Sequence, residues 1–269
     1  MTSSFDTPRP QRSRGQRYRS ALWLLTKRDL RVRYSTSALG YFWSILDPLV
    51  MSGIYWFVFV VVFQRGDDIG DSPYIVFLLA GLLPWMWFTG TISDSTRAFL
   101  REAKLVRSTS IPRTIWVARI VMSKGIEFLA SIPVLAIFVI AFHAPINIHV
   151  LWAFPLAILL QAILSLGLGL LVAPLVVFFR DLERAIKLIL RFMFYASPIV
   201  YSSINLPEAM QPLAAFNPLT GIFSLYRTGF FENQLLWFPV LVSAVMSLAI
   251  LALGLVVFKR CERSVLKEI

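Results

Sequence analysis

Charge is scarce in this 269-residue chain: Asp, Glu, Lys and Arg make up 15% of it, against 57% hydrophobic residues. No soluble domain has that balance, so the chain reads as a polytopic membrane protein. Thiols are almost absent. The single cysteine, Cys261, excludes an intrachain disulfide and has no second thiol with which to build a metal site. Histidine is limited to His143 and His149, which sit beside the end of an apolar block, far from paired carboxylates, and read as interfacial rather than metal-binding. No glycine is followed by lysine, which excludes a phosphate-cradling P-loop, and no serine lies in a G-x-S-x-G elbow. The chain is therefore expected not to be an enzyme, with no cofactor of its own. No cleavable signal peptide is expected, because the first apolar block follows a long basic tail and lacks a small-residue cleavage site.

What the chain does have is a series of apolar blocks, at about 39–63, 74–92, 114–142, 150–179, 188–203 and 236–258. A crossing helix needs about 20 apolar residues, which most of these supply; the fifth is short. The expected fold is all-α, with six transmembrane helices. The breaks sort by charge. Basic residues run from Arg9 to Arg33, recur at Arg97, Arg101, Lys104, Arg107 and Arg113, then at Arg180, Arg184, Lys187 and Arg191, and close the chain at Lys259, Arg260, Arg263 and Lys267. The alternate breaks hold only Arg65 and Arg227. Basic loops stay in the cytoplasm, so both termini are expected inside a plasma (inner) membrane. The net charge of +11 is then accounted for by topology and anionic inner-leaflet lipid, without nucleic acid.

Three stretches depart from plain spans and loops. Residues 1–17 read as a disordered basic tail, followed by an amphipathic helix at 18–34. Tyr18, Ala21, Leu22, Leu25 and Val32 form one apolar strip of that helix, and Trp23, Leu30 and Tyr34 a second. Two strips suit a helix wedged between lipid and protein, or an interfacial anchor. In the second break, Ser93, Asp94 or Ser95 can cap a helix that mixes Phe99, Leu100 and Val106 with Arg101, Glu102, Lys104 and Arg107 and stops before Pro112. Such a helix is a docking element for a cytoplasmic partner, or it lies on headgroups. Between Tyr201 and Gln234, Pro207, Pro212 and Pro218 interrupt apolar segments, and Asn217-Pro218 is a good helix start. Two short helices dipping into the outer leaflet, or an ordinary hairpin, fit this stretch; broken helices at membrane depth need protein or water over their free backbone groups.

Charge inside the spans is scarce: Asp47 precedes Pro48 in the first, and Lys124 and Glu127 in the third are spaced to pair on one helix face. The carboxylate relay of a proton-coupled transporter is missing, which points to an external energy source. Aromatic residues, in contrast, are abundant, with 22 Phe, 8 Trp and 8 Tyr. Tyr41 and Trp43 open the first span, Trp85, Trp87 and Phe88 lie in the second, and Tyr195 and Tyr201 in the fifth. They form an interfacial belt, or they line a pore on which sugars stack.

Several strings together resemble the polysaccharide-exporting permeases of the type-2 ABC class, the O-antigen exporter or Wzm kind. These are Ser37-Ala38-Leu39-Gly40-Tyr41-Phe42-Trp43 through Asp47-Pro48, Ala80-Gly81-Leu82-Leu83-Pro84-Trp85, Ile111-Pro112-Arg113, Phe179-Arg180-Asp181-Leu182, Ala196-Ser197-Pro198-Ile199-Val200-Tyr201, and Asn217-Pro218-Leu219-Thr220 with Arg227. Their order covers almost the whole chain.

The resemblance implies a homodimer carrying two copies of a separate cytoplasmic ABC ATPase, which binds the ATP and Mg. It implies export of a lipid-linked polysaccharide through a channel between protomers, with a lipid-linked galactan of the cell wall as the narrower expectation. Residues 98–110 would be the coupling helix, with Leu100, Lys104 and Arg107 facing the ATPase and Arg180, Asp181 and Arg184 as a second contact. Helix 18–34 would be the interface helix, 35–269 the six-helix transmembrane domain, and 205–232 within it the outer re-entrant gate. Tyr41, Trp43, Trp85, Trp87, Phe88, Tyr195 and Tyr201 are the channel candidates. Six helices with so little polar surface cannot enclose a hydrated polymer alone, whereas two copies about a two-fold axis can. The alternatives are a type-2 permease for a small drug or lipid, and an ATP-independent channel or scaffold.

Overall fold

The computed structural model describes residues 13–35, 42–62, 68–69, 72–109 and 111–268. Their regular elements are helices apart from one two-stranded antiparallel pair, β1 (Asp68–Ile69) with β2 (Ser72–Pro73). Among the described residues, four helices are long and apolar enough to cross a membrane: α3 (Tyr74–Ser95), α5 (Ile115–Ala141), α6 (Val150–Phe178) and α10 (Trp237–Glu268). Between them lie α1 (Arg14–Ser35), α2 (Trp43–Trp56, continuing in π-helical form to Val62), α4 (Ala103–Ser108), α7 (Leu182–Ala196), α8 (Gln211–Ala215) and α9 (Pro218–Thr228).

Helix α3 is the central post. It packs against α2, α5, α6, α7 and α9, and 83% of its apolar window is buried, against 22% for α10. The exposed face of α10 is itself apolar, with Leu241, Val245 and Leu248 among its uncovered side chains. Such a surface is stable against lipid and not against water. Close backbone contact fixes α10 on α6: a Cβ on Gly254 would come 2.4 Å from the Gly167 carbonyl oxygen. Small residues permit this approach where no hydrophobic effect drives helices together.

Helix α1 and the C-terminal turns of α10 meet at one end of the molecule, here the basic end. Leu25 of α1, Phe99, Val106, Trp116, Phe258 and Val265 form a second apolar cluster there, separate from the main core around α3. Helix α1 starts at Arg14 rather than Tyr18 and buries Leu25 against this cluster, leaving Trp23 and Val32 exposed. Residues 1–12 of the expected basic tail lie outside the described residues.

Three expected boundaries shift. Ser93, Asp94 and Ser95 do not cap a new helix, because α3 runs through them and the Ser95 hydroxyl donates back to the Thr91 carbonyl at 2.8 Å. The helix read over 98–110 is a 3-10 turn at Leu100–Glu102 and the six-residue α4. The fifth block forms a helix over 182–196 rather than 188–203. Arg184, Lys187 and Arg191 had marked a loop, but they ride on the exposed face of α7. At 1.5 Å per residue, α10 is about 48 Å long, beyond the ~30 Å of a hydrocarbon core. Its last turns, which carry the C-terminal charges, therefore stand outside any membrane.

Candidate functional site

At the end opposite the basic one, the chain leaves α7 at Ala196 and runs unwound through Ser197, Pro198, Ile199, Val200 and Tyr201. Free carbonyls at membrane depth need partners. Arg227 on α9 supplies them: its guanidinium donates to the Pro198 and Ile199 carbonyls, both at 2.6 Å, and its Nε to the Phe77 carbonyl at 3.3 Å. The same guanidinium lies 3.5 Å from the centroid of the Phe77 ring and is 2% exposed. Tyr74 donates its hydroxyl to the Val200 carbonyl at 2.9 Å. Gly81 leaves the room, since a Cβ there would sit 2.6 Å from Arg227 Nη2. The Asn217 cap expected from sequence is present: its side chain accepts from the Leu219 amide at 3.0 Å and donates to Ser197 Oγ at 2.9 Å. Helix α9 is buried along its whole length and is held on α10 through Gly221, whose amide donates to Ser243 Oγ.

Between α2, α3 and α7 lies a cleft of about 600 Å³. Trp85, Tyr55, Phe194 and Tyr195 line it with Met51 and Met86, and Lys187 and Arg191 stand toward the basic end. Trp85 packs edge-on to Phe194, which meets Tyr195 edge-on in turn. Tyr201 donates to the Tyr195 carbonyl at 3.1 Å, just past the helix end. The channel candidates therefore divide. Trp85 and Tyr195 line this cleft, Tyr201 is tied to the Tyr195 backbone without lining it, and Phe88 is buried beside Trp85. Trp43 and Trp87 line a different pocket, between α2, α3 and α5. There Trp87 stacks on Phe128 and donates its indole N–H to the Val121 carbonyl at 3.3 Å. Tyr41 lies outside the described residues.

At the basic end, Leu100, Lys104 and Arg107 are all exposed, while their neighbours Ala98, Phe99 and Val106 are buried in the second cluster. Arg180, Asp181 and Arg184, at the turn from α6 into α7, are exposed as well. One ion pair joins the two sets: Arg97 donates through Nε to Glu183 at 2.9 Å, and Lys187 binds the same carboxylate at 2.7 Å. Those hydrogen bonds, Arg97's first, hold the Glu183 carboxyl down at about 2.

Sequence reasoning overlooked Arg119. Buried in α5, it donates to Asp29 at 2.9 Å and to Glu102 at 3.0 Å, and Arg28 binds the same Glu102 oxygen. Helix α1, the 100–102 turn and α5 are thereby joined in one network. Burial lifts the Asp29 carboxyl above its ordinary value despite Arg119 beside it. Burial also works against Glu102, yet its bonds to Arg28 and Arg119 prevail and hold it below the usual range. Only the placement of Arg119 within a span could have drawn attention to it. The Lys124–Glu127 pair forms as expected at 3.0 Å, and Arg33 joins it, binding Glu127 and Asp94 at 2.8 Å each. Among the described residues, no cluster of three or more His, Cys, Asp or Glu could hold a metal.

A family profile described as ABC-2 type transporter matches residues 20–231. The chain is 33% identical over 241 residues to the O-antigen export system permease protein RfbA of Klebsiella pneumoniae, covering 90% of this chain and 92% of that one. It is 30% identical to the protein of the same name from Myxococcus xanthus, covering 81% and 83% of the two chains. It is 24% identical to the polysialic acid transport protein KpsM of Escherichia coli, covering 74% and 77%. With apolar helices of membrane length and two exposed basic turns tied together at one end, the chain belongs to the ABC-2 type transporter family, as a multi-pass membrane permease of the branch that holds the O-antigen export permeases.

Proposed function

We propose that this chain is the membrane subunit of an ATP-driven polysaccharide exporter, moving a lipid-linked glycan from the cytoplasmic to the outer face between two copies of itself. The observation that carries this reading is the cleft of Trp85, Tyr55, Phe194 and Tyr195. Flat aromatic faces suit the apolar C–H sides of sugars. The cleft borders exposed apolar faces of α2 and α7, including Ile54, Phe57, Leu188 and Phe192, which a second copy would cover. Helix α2 and its π-helical continuation serve as the first span. Helix α7 with the unwound 197–201 serves as the fifth, which brings the spans to six. The names of these relatives support a polysaccharide cargo. The basic tail and aromatic content make a lipid-linked galactan the cargo to assay first.

The concentration of Lys and Arg at the end where α1 meets the last turns of α10 supports a cytoplasmic placement for that end. There, Leu100, Lys104 and Arg107, with Arg180, Asp181 and Arg184 bridged to them by Arg97–Glu183, form a docking face for a separate ABC ATPase that supplies the ATP and Mg. Closure of the ATPase pair pushes on 98–110 and on 180–184. The network of Arg119, Asp29 and Glu102 passes that displacement to the interface helix α1 and to α5. The stretch 205–232, stapled by Arg227, serves as the outer gate.

Two sets of variants test the assignment separately. Leu100→Asp with Arg107→Glu is expected to abolish capture of the ATPase by the tagged permease. Trp85→Ala with Tyr195→Ala is expected to leave capture intact and to impair glycan export by about tenfold or more, the scale of losing stacking contacts worth about 1–3 kcal/mol each. Normal export from the second pair overturns the lining, and full ATPase capture by the first overturns the docking face.

A further inference from the structure

Helix α10 carries an exposed stripe that changes chemistry once along its length. Trp237, Leu241, Val245, Leu248, Ala252 and Val256 follow one another at three- and four-residue steps, so they share a face, and all are exposed. Lys259, Arg263 and Lys267 continue the same steps with Arg260 beside them, and these are exposed as well. The opposite face is covered: Gly254 meets α6, and Phe258 and Val265 sit in the second apolar cluster. Trp237, stacked on Trp152 at 5.9 Å between ring centroids, marks the aromatic boundary of the span. From there to Val256 is about 29 Å at 1.5 Å per residue, close to the ~30 Å of a hydrocarbon core. The apolar part of the stripe matches acyl chains in length, and the cations begin where the phosphates begin.

These cations have no anion of the chain to meet. None of the four makes an ion pair among the described residues. Glu262, the carboxylate in their midst, is turned to Arg113 at 3.2 Å, and Glu268 lies off the stripe. Lys259 with Arg263 and Arg263 with Lys267 are like charges four apart, and Arg260 with Arg263 three apart, spacings that destabilise a bare helix. The helix dipole favours cations over the last turn only, so it answers for Lys267 and not for the three before it. Relief must come from an anion outside the chain. The apolar face continuous with the cations says which kind, because an acidic protein segment would match the charges and leave that face uncovered. We propose that the stripe holds an anionic phospholipid of the adjoining leaflet, its phosphate at Lys259, Arg260 and Arg263 and its acyl chains along Val256, Ala252 and Leu248. A zwitterionic lipid brings its own cation to the same place and gains less. The proposal holds whatever cargo the permease moves.

The test is lipid retention by the full-length permease, released from nanodiscs of equal phosphatidylglycerol and phosphatidylcholine and weighed by native mass spectrometry. Wild type is expected to keep phosphatidylglycerol over phosphatidylcholine by about tenfold, since each cation beside an anionic headgroup adds to the preference. The variant combining Lys259→Gln, Arg260→Gln and Arg263→Gln is expected to bring that ratio close to parity. In nanodiscs of phosphatidylcholine alone it should unfold no lower than wild type, because the substitutions remove repulsion and break no ion pair. A control that loses as many exposed charges, Arg101→Gln with Lys104→Gln and Arg107→Gln, is expected to keep the wild-type ratio. An unchanged ratio in the α10 variant overturns the proposal, and loss of a co-purified protein in its place would make the stripe a protein-docking face. An equal fall in the control overturns it too, leaving net charge as the cause.

Discussion

The two ends of the molecule are held by different chemistry. At the basic end, helices are tied by pairs of opposite charges: Arg119 with Asp29 and Glu102, Arg33 with Asp94 and Glu127, Arg97 with Glu183, and Arg113 with Glu262. At the other end, among the described residues, the ties are hydrogen bonds from side chains to backbone carbonyls or between uncharged side chains, with Arg227 binding three carbonyls and no carboxylate. Ser202 and Gln234 exchange hydrogen bonds nearby, Ser224 donates to the Gln234 carbonyl, and Tyr74 reaches Val200. The difference follows from what each end must satisfy. The basic end has complete helices whose charged side chains sit near water, so pairing can be partial and adjustable. The opposite end has an unwound strand whose carbonyls have no helical partners, and one guanidinium with several donors in a fixed plane can meet several of them at once. The first arrangement suits a surface that is pushed on; the second fixes a shape.

The largest break is Arg227→Met. It strands the Pro198 and Ile199 carbonyls of the unwound stretch, and each buried group left unsatisfied costs about 1–3 kcal/mol. The expected result is a sharp loss of folded protein, measured by thermal unfolding of the purified permease, with raised salt changing nothing. Gly81→Ala, which pushes a Cβ against the same guanidinium, should reproduce part of that loss, about 1–3 kcal/mol for overpacking. Both results would separate this end from the other.

Arg119→Met is the matching break at the basic end. It removes one buried cation but leaves Arg28 on Glu102, so the cost should fall below that of Arg227→Met, at about 3 kcal/mol. The sharper readout is coupling: ATP hydrolysis by the captured ATPase should persist while export falls. Equal loss of both would make Arg119 a purely structural residue.

Glu183→Gln is the smallest. Its partner Arg97 is exposed, so the pair contributes little and should weaken further at high salt. The sign with pH is fixed by the depressed carboxyl. The stabilisation is present above the unfolded carboxyl value near 4.3 and is lost as pH falls toward about 2. The variant's unfolding temperature should therefore converge on wild type in acid.

Much of this was legible in the sequence, for reasons that particular residues make plain. Helices α3, α5 and α6 begin within a residue of where hydropathy changes, because long apolar runs have no alternative in lipid. Asn217-Pro218 announced α9 because capping is local. The boundaries that failed are those where charge and helix end do not coincide. Lys187 and Arg191 lie well inside α7, since a helix continues through the headgroup layer, and α10 carries on to Glu268 for the same reason. The candidate cleft was half legible. Trp85 and Tyr195 could be chosen as aromatics in spans, but their separation from Trp43 and Trp87 depends on which side of α3 each faces, which spacing alone did not reveal. Arg119 and the carbonyl partners of Arg227 escaped because their contacts span up to 150 positions and leave no periodic trace.

The central claim is that this permease moves its cargo only when a separate ATPase drives it. The most direct measurement is transport of a lipid-linked glycan across the bilayer of proteoliposomes holding the permease alone or with its ATPase, each with and without ATP. Translocation confined to the vesicles that contain both proteins and ATP is the predicted result. Translocation at the same rate by the permease alone would contradict it.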